Sequence, residues 1–248
     1  MPTWYRIALI IWIIIPLVLF PVLVKIRAPY GRHVRKGWGP MADNHWVWFW
    51  MELPALLVFP LMAIFGPATK DPISWILIAM WSLHYINRAL IYPFRLRTKG
   101  KKIPVSVGLM AVIFNLINGG FNGYYIGFID GSSGDIAIIW MITGLVIFIS
   151  GFLINNMADS YLIHLRKNGN SYQIPKGRLF EYISCPNHFG EILEWLGFAI
   201  FAMNPAAWSF AIWTFCNLAP RARNHHQWYR EYFREYPADR KAVIPFVW

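Results

Sequence analysis

Five long apolar runs dominate this chain of 248 residues. Each is close to the 20 residues that an α-helix needs to cross about 30 Å of hydrocarbon. Two shorter runs follow, and because Asn204-Pro205 separates them, we expect a tight helical hairpin or a tilted pair. The seven runs are residues 4–24, 46–65, 73–92, 105–128, 136–154, 192–203 and 206–218. The pattern predicts an all-α, polytopic membrane protein with seven transmembrane helices, or six if the short pair does not cross fully.

The apolar content of 57% and the charged content of 14% exclude several other classes of chain. An ordinary soluble domain has about 45–50% apolar and about 25% charged residues. The composition therefore excludes a disordered chain, a disulfide scaffold and a typical cytosolic enzyme. The first run is longer than the core of a signal peptide, and no small-residue cleavage site follows it, so we expect it to remain as a helix.

The basic excess of the chain, a formal net charge of +11, is concentrated in alternate loops. The first, third and fifth loops and the segment after the last run are net positive, whereas the other loops are neutral or acidic. Since cytoplasmic loops retain Lys and Arg, this alternation predicts an N-terminus outside and a cytoplasmic C-terminus. The orientation of the chain in the membrane then accounts for the positive net charge, so no nucleic-acid partner is expected. Cys185 and Cys216 lack metal-ligand spacing, and no metal is expected.

Glu52 is an ionisable residue inside the second apolar run, where Pro54 follows it closely. Charged groups in hydrocarbon are costly and are functional candidates by default. Desolvation favours the neutral carboxylic acid, which can donate a hydrogen bond. In the fourth run, Asn115, Asn118 and Asn122 form one helical stripe. The stripe suits hydrogen bonding between helices or the lining of a ligand site, and the sequence leaves both open.

A second group of polar residues comes from three segments on the predicted cytoplasmic side. Arginines can neutralise phosphates, while carboxylates and amides bind ribose hydroxyls and base edges. The mixture therefore suits an anionic, sugar-bearing ligand such as a nucleotide. Neither a Rossmann nor a Walker glycine motif occurs, and the glycines at 131–134 predict an outward-facing turn, so side chains of membrane helices would hold the ligand. The group comprises Asn155, Asp159, Arg166, Asn187, Glu191, Arg221 and His225.

Several motifs of the sequence are shared with one enzyme family. The earlier motifs are Tyr30-Gly31, Glu52-Leu53-Pro54 and His84-Tyr85-x-x-Arg88. The later motifs are Ser171-Tyr172-Gln173-Ile174-Pro175, Asn187-His188-Phe189-Gly190-Glu191-Ile192-Leu193-Glu194-Trp195, Arg221-Ala222-x-x-His225-x-x-x-Tyr229, Tyr236-Pro237, Arg240-Lys241-Ala242 and Ile244-Pro245-Phe246. On these motifs the chain resembles the steroid 5-alpha-reductase (3-oxo-5-alpha-steroid 4-dehydrogenase) family, as a bacterial-type homologue.

The resemblance implies a membrane enzyme that uses NADPH to reduce the C4–C5 double bond of a 3-oxo-Δ4 steroid, with hydride added at C5 and a proton at C4. It implies that Glu52 and Tyr85 hydrogen-bond the C3 carbonyl of the steroid. The steroid would enter from the bilayer and contact Trp46, Trp50 and Phe114. The implied cofactor residues are Asn155, Asp159, Arg166, Tyr172, Asn187, Glu191, Arg221, His225 and Tyr229.

The expected organisation is one integral-membrane domain that acts as a monomer, with a steroid side at residues 1–128 and an NADPH-binding half at residues 129–248. A bacterial inner membrane and the endoplasmic reticulum both fit. Three alternatives stay open: an enoyl-CoA or sterol-intermediate reductase, an S-adenosylmethionine-dependent membrane methyltransferase, and a transporter or lipid-binding protein. The methyltransferase would not need Glu52 together with Tyr85, whereas buried polar residues also serve transporters.

Overall fold

Helices make up most of the protein, whose computed structural model describes residues 1–27, 29, 31–35, 37–98, 100–129, 137–166 and 172–248. Two short strands, β1 (Met41–Asp43) and β2 (Lys102–Pro104), pair antiparallel. The helices are α1 (Thr3–Lys25), α2 (Asn44–Phe65), α3 (Pro72–Tyr85), α4 (Tyr92–Arg95), α5 (Val105–Phe128), α6 (Ile138–Leu165), α7 (Pro186–Ala202) and α8 (Pro205–Tyr232). Outside this description lie Tyr30, Ser171, the predicted turn at 131–134 and residue 136.

Four of the described helices, α1, α2, α5 and α6, are long and apolar enough to cross a membrane. Each overlaps one of the five long apolar runs. The chain is an all-α membrane protein. The third run is also helical, but it is not one α-helix. A π-helix, Ile86–Ile91, follows α3 and leads into the single turn of α4. The count of seven crossings and the orientation of the termini stay predictions.

Three helices extend beyond the apolar runs that predicted them. α6 continues to Leu165, α7 begins at Pro186 and α8 continues to Tyr232. An apolar run marks residues that hydrocarbon accepts, whereas backbone hydrogen bonds carry a helix onward through polar residues. The extensions contain Asn155, Asp159, Asn187, Glu191, Arg221, His225 and Tyr229. Most of the implied cofactor residues therefore lie on helix ends rather than on loops.

The chain divides into two compact units, each assembled from three stretches. The first contains Met1–Ile10, Ala28–Ile138 and Ala202–Ala207, and the second contains Ile11–Arg27, Ile139–Phe201 and Trp208–Trp248. The first unit thus holds α2, α3, α4 and α5, while α6, α7 and α8 belong almost entirely to the second. The division into a steroid side and an NADPH-binding half at residue 128 stays a prediction.

In the first unit, α2 and α5 pack in parallel along a glycine face of α5. The strands β1 and β2 directly precede α2 and α5, so their pairing brings the two helix starts together. A Cβ at Gly123 would lie 2.8 Å from Met62 Cβ and 3.0 Å from Phe59 O, closer than an ordinary contact. Glycine at this position therefore lets the helices approach closely, as small residues do at helix interfaces in membranes.

In the second unit, the backbones of α6 and α7 touch at two glycine pairs. A Cβ on Gly151 would lie 2.5 Å from Gly190 O, and a Cβ on Gly197 would lie 2.6 Å from Gly144 O. The two glycines of each helix are two turns apart, so both pairs belong to one face of an antiparallel helix pair. The contact fixes the spacing between the polar residues that follow Gly151 on α6 and those that flank Gly190 on α7.

Candidate active site

Glu52 lies on α2, is half-buried, and has an amide from α5 beside it. Asn115 Nδ2 donates to the backbone carbonyl of Met51 at 2.6 Å and lies 3.4 Å from Glu52 Oε2. The side chain of Asn115 is buried, so this bond fixes the register of the parallel helices where the carboxyl group stands. Of the two roles that the asparagine stripe left open, hydrogen bonding between helices is present at Asn115.

The other two asparagines of the stripe pair within α5. Asn122 Nδ2 donates to the backbone carbonyl of Asn118 at 3.0 Å, and both side chains are buried. Such a bond back to the preceding turn satisfies a polar group inside one helix. These two residues therefore form a local contact, distinct from the contact of Asn115 with α2.

Tyr85 is the last residue of α3, and its ring is buried and packs against two aromatic neighbours. The ring centroid lies 5.1 Å from that of Trp81 and 4.8 Å from that of His84. Trp81 Nε1 donates to Ala55 O on α2 at 2.9 Å, one turn away from Glu52. This contact ties α2 to α3 and places Trp81 one turn before Tyr85.

A second contact ties α2 to the π-helix on the other side of the same two residues. The guanidinium carbon of Arg88 lies 4.9 Å from the ring centroid of Trp48, which is one turn before Glu52. Because Tyr85 lies between Trp81 and Arg88 in the chain, the two contacts bracket Glu52 on one helix and Tyr85 on the other. The structure therefore brings the two implied catalytic residues to the same level of this helix pair.

The π-helix itself begins directly after Tyr85. The Tyr92 N–H donates to Asn87 O, five residues earlier, which makes the turn wider than an α-helical one. Single π-helical turns are frequent at functional sites. Here the wide turn carries Arg88, whose guanidinium carbon also lies 4.6 Å from the ring centroid of Tyr92, so the arginine contacts two aromatic rings that pack edge-on against each other.

The three implied steroid contacts differ in exposure. Trp46 and Trp50 are 55% and 59% exposed on α2, and Phe114 on α5 is half-buried. The Trp46 ring packs edge-on against Phe49 at 5.9 Å and against Phe94 at 5.9 Å. The two tryptophans thus lie on an open aromatic face of the first unit, which suits an apolar ligand arriving from the bilayer.

The implied cofactor residues of α6 and α7 form a connected hydrogen-bond cluster. Asn155 Nδ2 donates to Asn187 O at 2.9 Å and lies 3.5 Å from Glu191 Oε2. Asn187 Nδ2 donates to Asp159 Oδ1 at 3.0 Å. The four residues form an i, i+4 pair on each helix, and the glycine contacts bring the two pairs together.

The implied residues of α8 follow at the same spacing. Arg221, His225 and Tyr229 are at i, i+4 and i+8, on one face of the helix. The His225 ring lies 5.7 Å from the ring of His188 on α7, between centroids. The first turn of α7 therefore contacts both α8, through His188, and α6, through Asn187.

Tyr172 and Arg166 come from the connection between α6 and α7. The Tyr172 ring packs against Trp228 of α8 at 4.8 Å, which brings it to the helix that carries Tyr229. Arg166 follows the last residue of α6 and is half-buried. The described cofactor candidates thus combine arginines with amides, carboxylates and aromatic rings, the side-chain types that bind phosphate, ribose and base. No group of three His, Cys, Asp or Glu side chains within the described residues could hold a metal ion.

Sequence comparison decides between the families that share such motifs. The sequence profile of 3-oxo-5-alpha-steroid 4-dehydrogenases matches residues 101–248. Steroid 5-alpha-reductase DET2 of Gossypium hirsutum is 41% identical, over 99% of this chain and 95% of its own length. The chain belongs to the 3-oxo-5-alpha-steroid 4-dehydrogenase family. The family's 3-oxo-5-alpha-steroid 4-dehydrogenase 1 of Bos taurus is 39% identical (93% of this chain, 91% of the relative), and that of Homo sapiens is 37% identical (90% and 87%).

Membership of the 3-oxo-5-alpha-steroid 4-dehydrogenase family confirms the resemblance based on motifs. The profile begins after Glu52 and Tyr85, so it covers only the later motifs. The relatives align over nearly the whole chain, and the enzyme class therefore rests on both halves of the sequence.

The sequence assigned no role to Ser184, His226 or Tyr236 of this 3-oxo-5-alpha-steroid 4-dehydrogenase family member, although Tyr236 belongs to one of the shared motifs. Ser184 Oγ lies 2.7 Å from His226 Nδ1 and 2.6 Å from the Tyr236 hydroxyl oxygen. Burial lowers the pKa of His226, and the charges of Arg230, Arg240 and Lys241 lower it further. Burial raises the pKa of Tyr236. The sequence offered one indication of these residues: His226 is adjacent to His225, and Ser184 precedes Asn187 by three residues.

Proposed function

We propose that this protein reduces the C4–C5 double bond of a 3-oxo-Δ4 steroid with NADPH, adding hydride at C5 and a proton at C4. The observation that carries the proposal is the position of Glu52 and Tyr85 between the Ala55–Trp81 and Trp48–Arg88 contacts. Two hydrogen-bond donors at one level of a helix pair suit a ketone better than a methyl acceptor or a transported ion.

The chemistry of an enone explains why such donors accelerate the reaction. Addition of hydride at C5 moves negative charge onto the C3 oxygen in the transition state. Donors already aimed at that oxygen stabilise the charge, by about 3–4 kcal/mol for each donor in a dry site. Tyr85 supplies a phenol O–H, and Glu52 supplies a carboxylic O–H provided that it is uncharged. An ionised Glu52 would instead repel the developing enolate.

Asn115 supports the role of Glu52. Its amide group lies 3.4 Å from Glu52 Oε2 while it is bonded to the backbone of the same helix. The contact occupies one carboxyl oxygen and limits rotation of the side chain. A carboxylic acid accepts a hydrogen bond through its carbonyl oxygen and donates through its O–H group, so an amide donor at Glu52 is compatible with donation to a ketone.

The residues of the second unit suit the cofactor. Arg166 and Arg221 would neutralise phosphates, and the amides and carboxylates of the α6–α7 cluster would bind ribose hydroxyls. Tyr172, His225 and Tyr229 add aromatic and hydrogen-bonding contacts. When bound, NADPH supplies the hydride; the protein orients it and excludes water. The full set is Asn155, Asp159, Arg166, Tyr172, Asn187, Glu191, Arg221, His225 and Tyr229.

The membrane supplies the steroid in this proposal. A flat apolar substrate dissolves in the bilayer and would reach Glu52 past Trp46, Trp50 and Phe114. We infer seven crossings, with the N-terminus outside and the cofactor residues on the cytoplasmic side, from the alternation of loop charge. The enzyme would act as a monomer, in a bacterial inner membrane or in the endoplasmic reticulum.

The test is turnover by the purified full chain in lipid nanodiscs. A 3-oxo-Δ4 steroid and NADPH should give a 5α-reduced product in step with loss of NADPH absorbance. Parallel reactions contain an enoyl thioester with NADPH, or S-adenosylmethionine with a thiol acceptor. Reduction of the enoyl thioester without the steroid, methyl transfer, or no turnover with any of these would each contradict the proposal.

A further inference from the structure

Ser184 lies just before α7 and makes three polar contacts through one hydroxyl group. Its Oγ lies 2.7 Å from His226 Nδ1 on α8 and 2.6 Å from the Tyr236 hydroxyl oxygen, and it donates to Lys241 O at 3.1 Å. The Ser184 side chain is buried. One small side chain therefore joins three parts of the protein: His226 on α8, and Tyr236 and Lys241 in the segment that follows α8.

Backbone hydrogen bonds reinforce the same junction. The Ser184 N–H donates to Lys241 O at 2.8 Å, and the Lys241 N–H donates to Tyr182 O at 2.8 Å. The Cys185 N–H donates to Ala242 O at 3.1 Å. The segment at residues 236–242 is thus hydrogen-bonded to residues 182–185, immediately before the first turn of α7.

The hydroxyl group of Ser184 can satisfy all three of its contacts at once. A serine hydroxyl has one hydrogen and two lone pairs. If it donates to the carbonyl of Lys241, it accepts from the hydroxyl of Tyr236 and from His226. All three contacts of Ser184 are then satisfied together, and removal of one member leaves a buried polar group in need of a partner.

We propose that Ser184, His226 and Tyr236 form a positioning network that fixes the start of α7 to α8 and so sets Asn187 and His225 in register for the cofactor. Asn187 follows Ser184 by three residues, and His225 is adjacent to His226. The three members act through these neighbours rather than by touching the cofactor. This inference rests on the cofactor site of the proposed function.

The geometry around the network accounts for its effect. The His188 and His225 rings, 5.7 Å apart, belong to the first turn of α7 and to α8. Cys185 Sγ lies 3.9 Å from Ala222 O on α8, a weak contact beside the stronger bonds of Ser184. Loss of the Ser184 hydroxyl would remove the hydrogen bond that links the residue before α7 directly to His226 on α8.

The experiment measures NADPH affinity and turnover for Ser184→Ala and Tyr236→Phe in nanodiscs. Each removes one hydroxyl group, and each should weaken NADPH binding by about fivefold, the effect of one lost hydrogen bond. The value of kcat at saturating NADPH and the KM for the steroid should stay at the wild-type level. The double variant should be no weaker than the worse single variant, because both changes break the same network.

Tyr232→Phe is the matched control, since Tyr232 also lies on α8 but is 57% exposed. It should bind NADPH like the wild type. Hydrogen exchange provides a second measurement, in which amides of residues 182–187 and 240–243 should lose protection in Ser184→Ala and Tyr236→Phe but not in Tyr232→Phe. Wild-type NADPH affinity and protection in both test variants would overturn the network. A wild-type protein that does not bind NADPH would instead overturn the proposed function.

Discussion

Gly151→Ala tests the close approach of α6 and α7. The added Cβ would lie 2.5 Å from Gly190 O and 2.8 Å from Glu194 Cα, where an ordinary contact is 3.4–4 Å. These atoms belong to the backbone of α7 and cannot rotate away. The two helices must therefore separate locally by about 1 Å, because packed interiors hold no spare volume.

The cost follows from two consequences of this separation. Overpacking of a close contact costs about 1–3 kcal/mol. The bond from Asn155 Nδ2 to Asn187 O, now 2.9 Å, would lengthen beyond hydrogen-bonding range, which costs about 1 kcal/mol more. A chain of this size should then lose about 5–15 °C of Tm. NADPH affinity should fall by about fivefold if Asn155 and Asn187 hold the cofactor.

Thermal unfolding followed by tryptophan fluorescence, together with NADPH titration, measures both effects. Gly120→Ala is the control, because a Cβ at Gly120 meets nothing within 4 Å. Alanine is favoured over glycine in a helix by about 1 kcal/mol, so this control should be as stable as the wild type or more so. If Gly151→Ala matches Gly120→Ala in Tm and in NADPH affinity, the contact between the two backbones is refuted.

Three further predictions concern the active site and pH. Glu52→Leu and Tyr85→Phe should each lower kcat by about a hundredfold with NADPH affinity unchanged. Glu52→Gln keeps an amide donor, so its kcat should fall less. Full turnover in Glu52→Leu would exclude a hydrogen-bond donor to the steroid carbonyl at this position. Arg221→Ala should raise the KM for NADPH by about tenfold, since a charge-assisted contact is lost, and steroid KM measured in parallel should not change. The pKa of His226 is lowered in the folded protein, so the unfolded chain binds a proton first as pH falls below about 6.5. Tm should therefore drop below that pH. An equal drop in His226→Asn would contradict the assignment to His226.

The helices were predictable from the sequence because hydrocarbon tolerates few polar residues. α5 coincides with the predicted run at 105–128, since both of its ends are set by a change from apolar to polar or turn residues. The lengths of α6 and α8 were not predictable in this way. Their outer turns are polar, and tertiary contacts such as those of Asn155 and His226 add to the backbone hydrogen bonds of these turns.

The arrangement inside the site was less predictable than its membership. Motif resemblance named Glu52 and Tyr85 but not Asn115 as the neighbour of the carboxyl group, because that contact depends on how far α5 slides along α2. The π-helix at Ile86–Ile91 reads as an ordinary apolar run. Arg88 in this π-helix contacts the rings of Trp48 and Tyr92. Trp48 is distant in the sequence and Tyr92 directly follows the π-helix, so the local pattern does not reveal these contacts.

The parallel pairing of α2 with α5 has a consequence for how the chain is assembled during synthesis. Neighbouring helices that run in opposite directions can insert as a hairpin, but a parallel partner arrives only after the chain has turned back once more. α3 and α4 are therefore made before α5 can reach α2. Until then the Glu52 carboxyl lacks the amide of Asn115, so a ribosome-bound intermediate that ends before α5 should differ from the full chain in the reactivity of that acid.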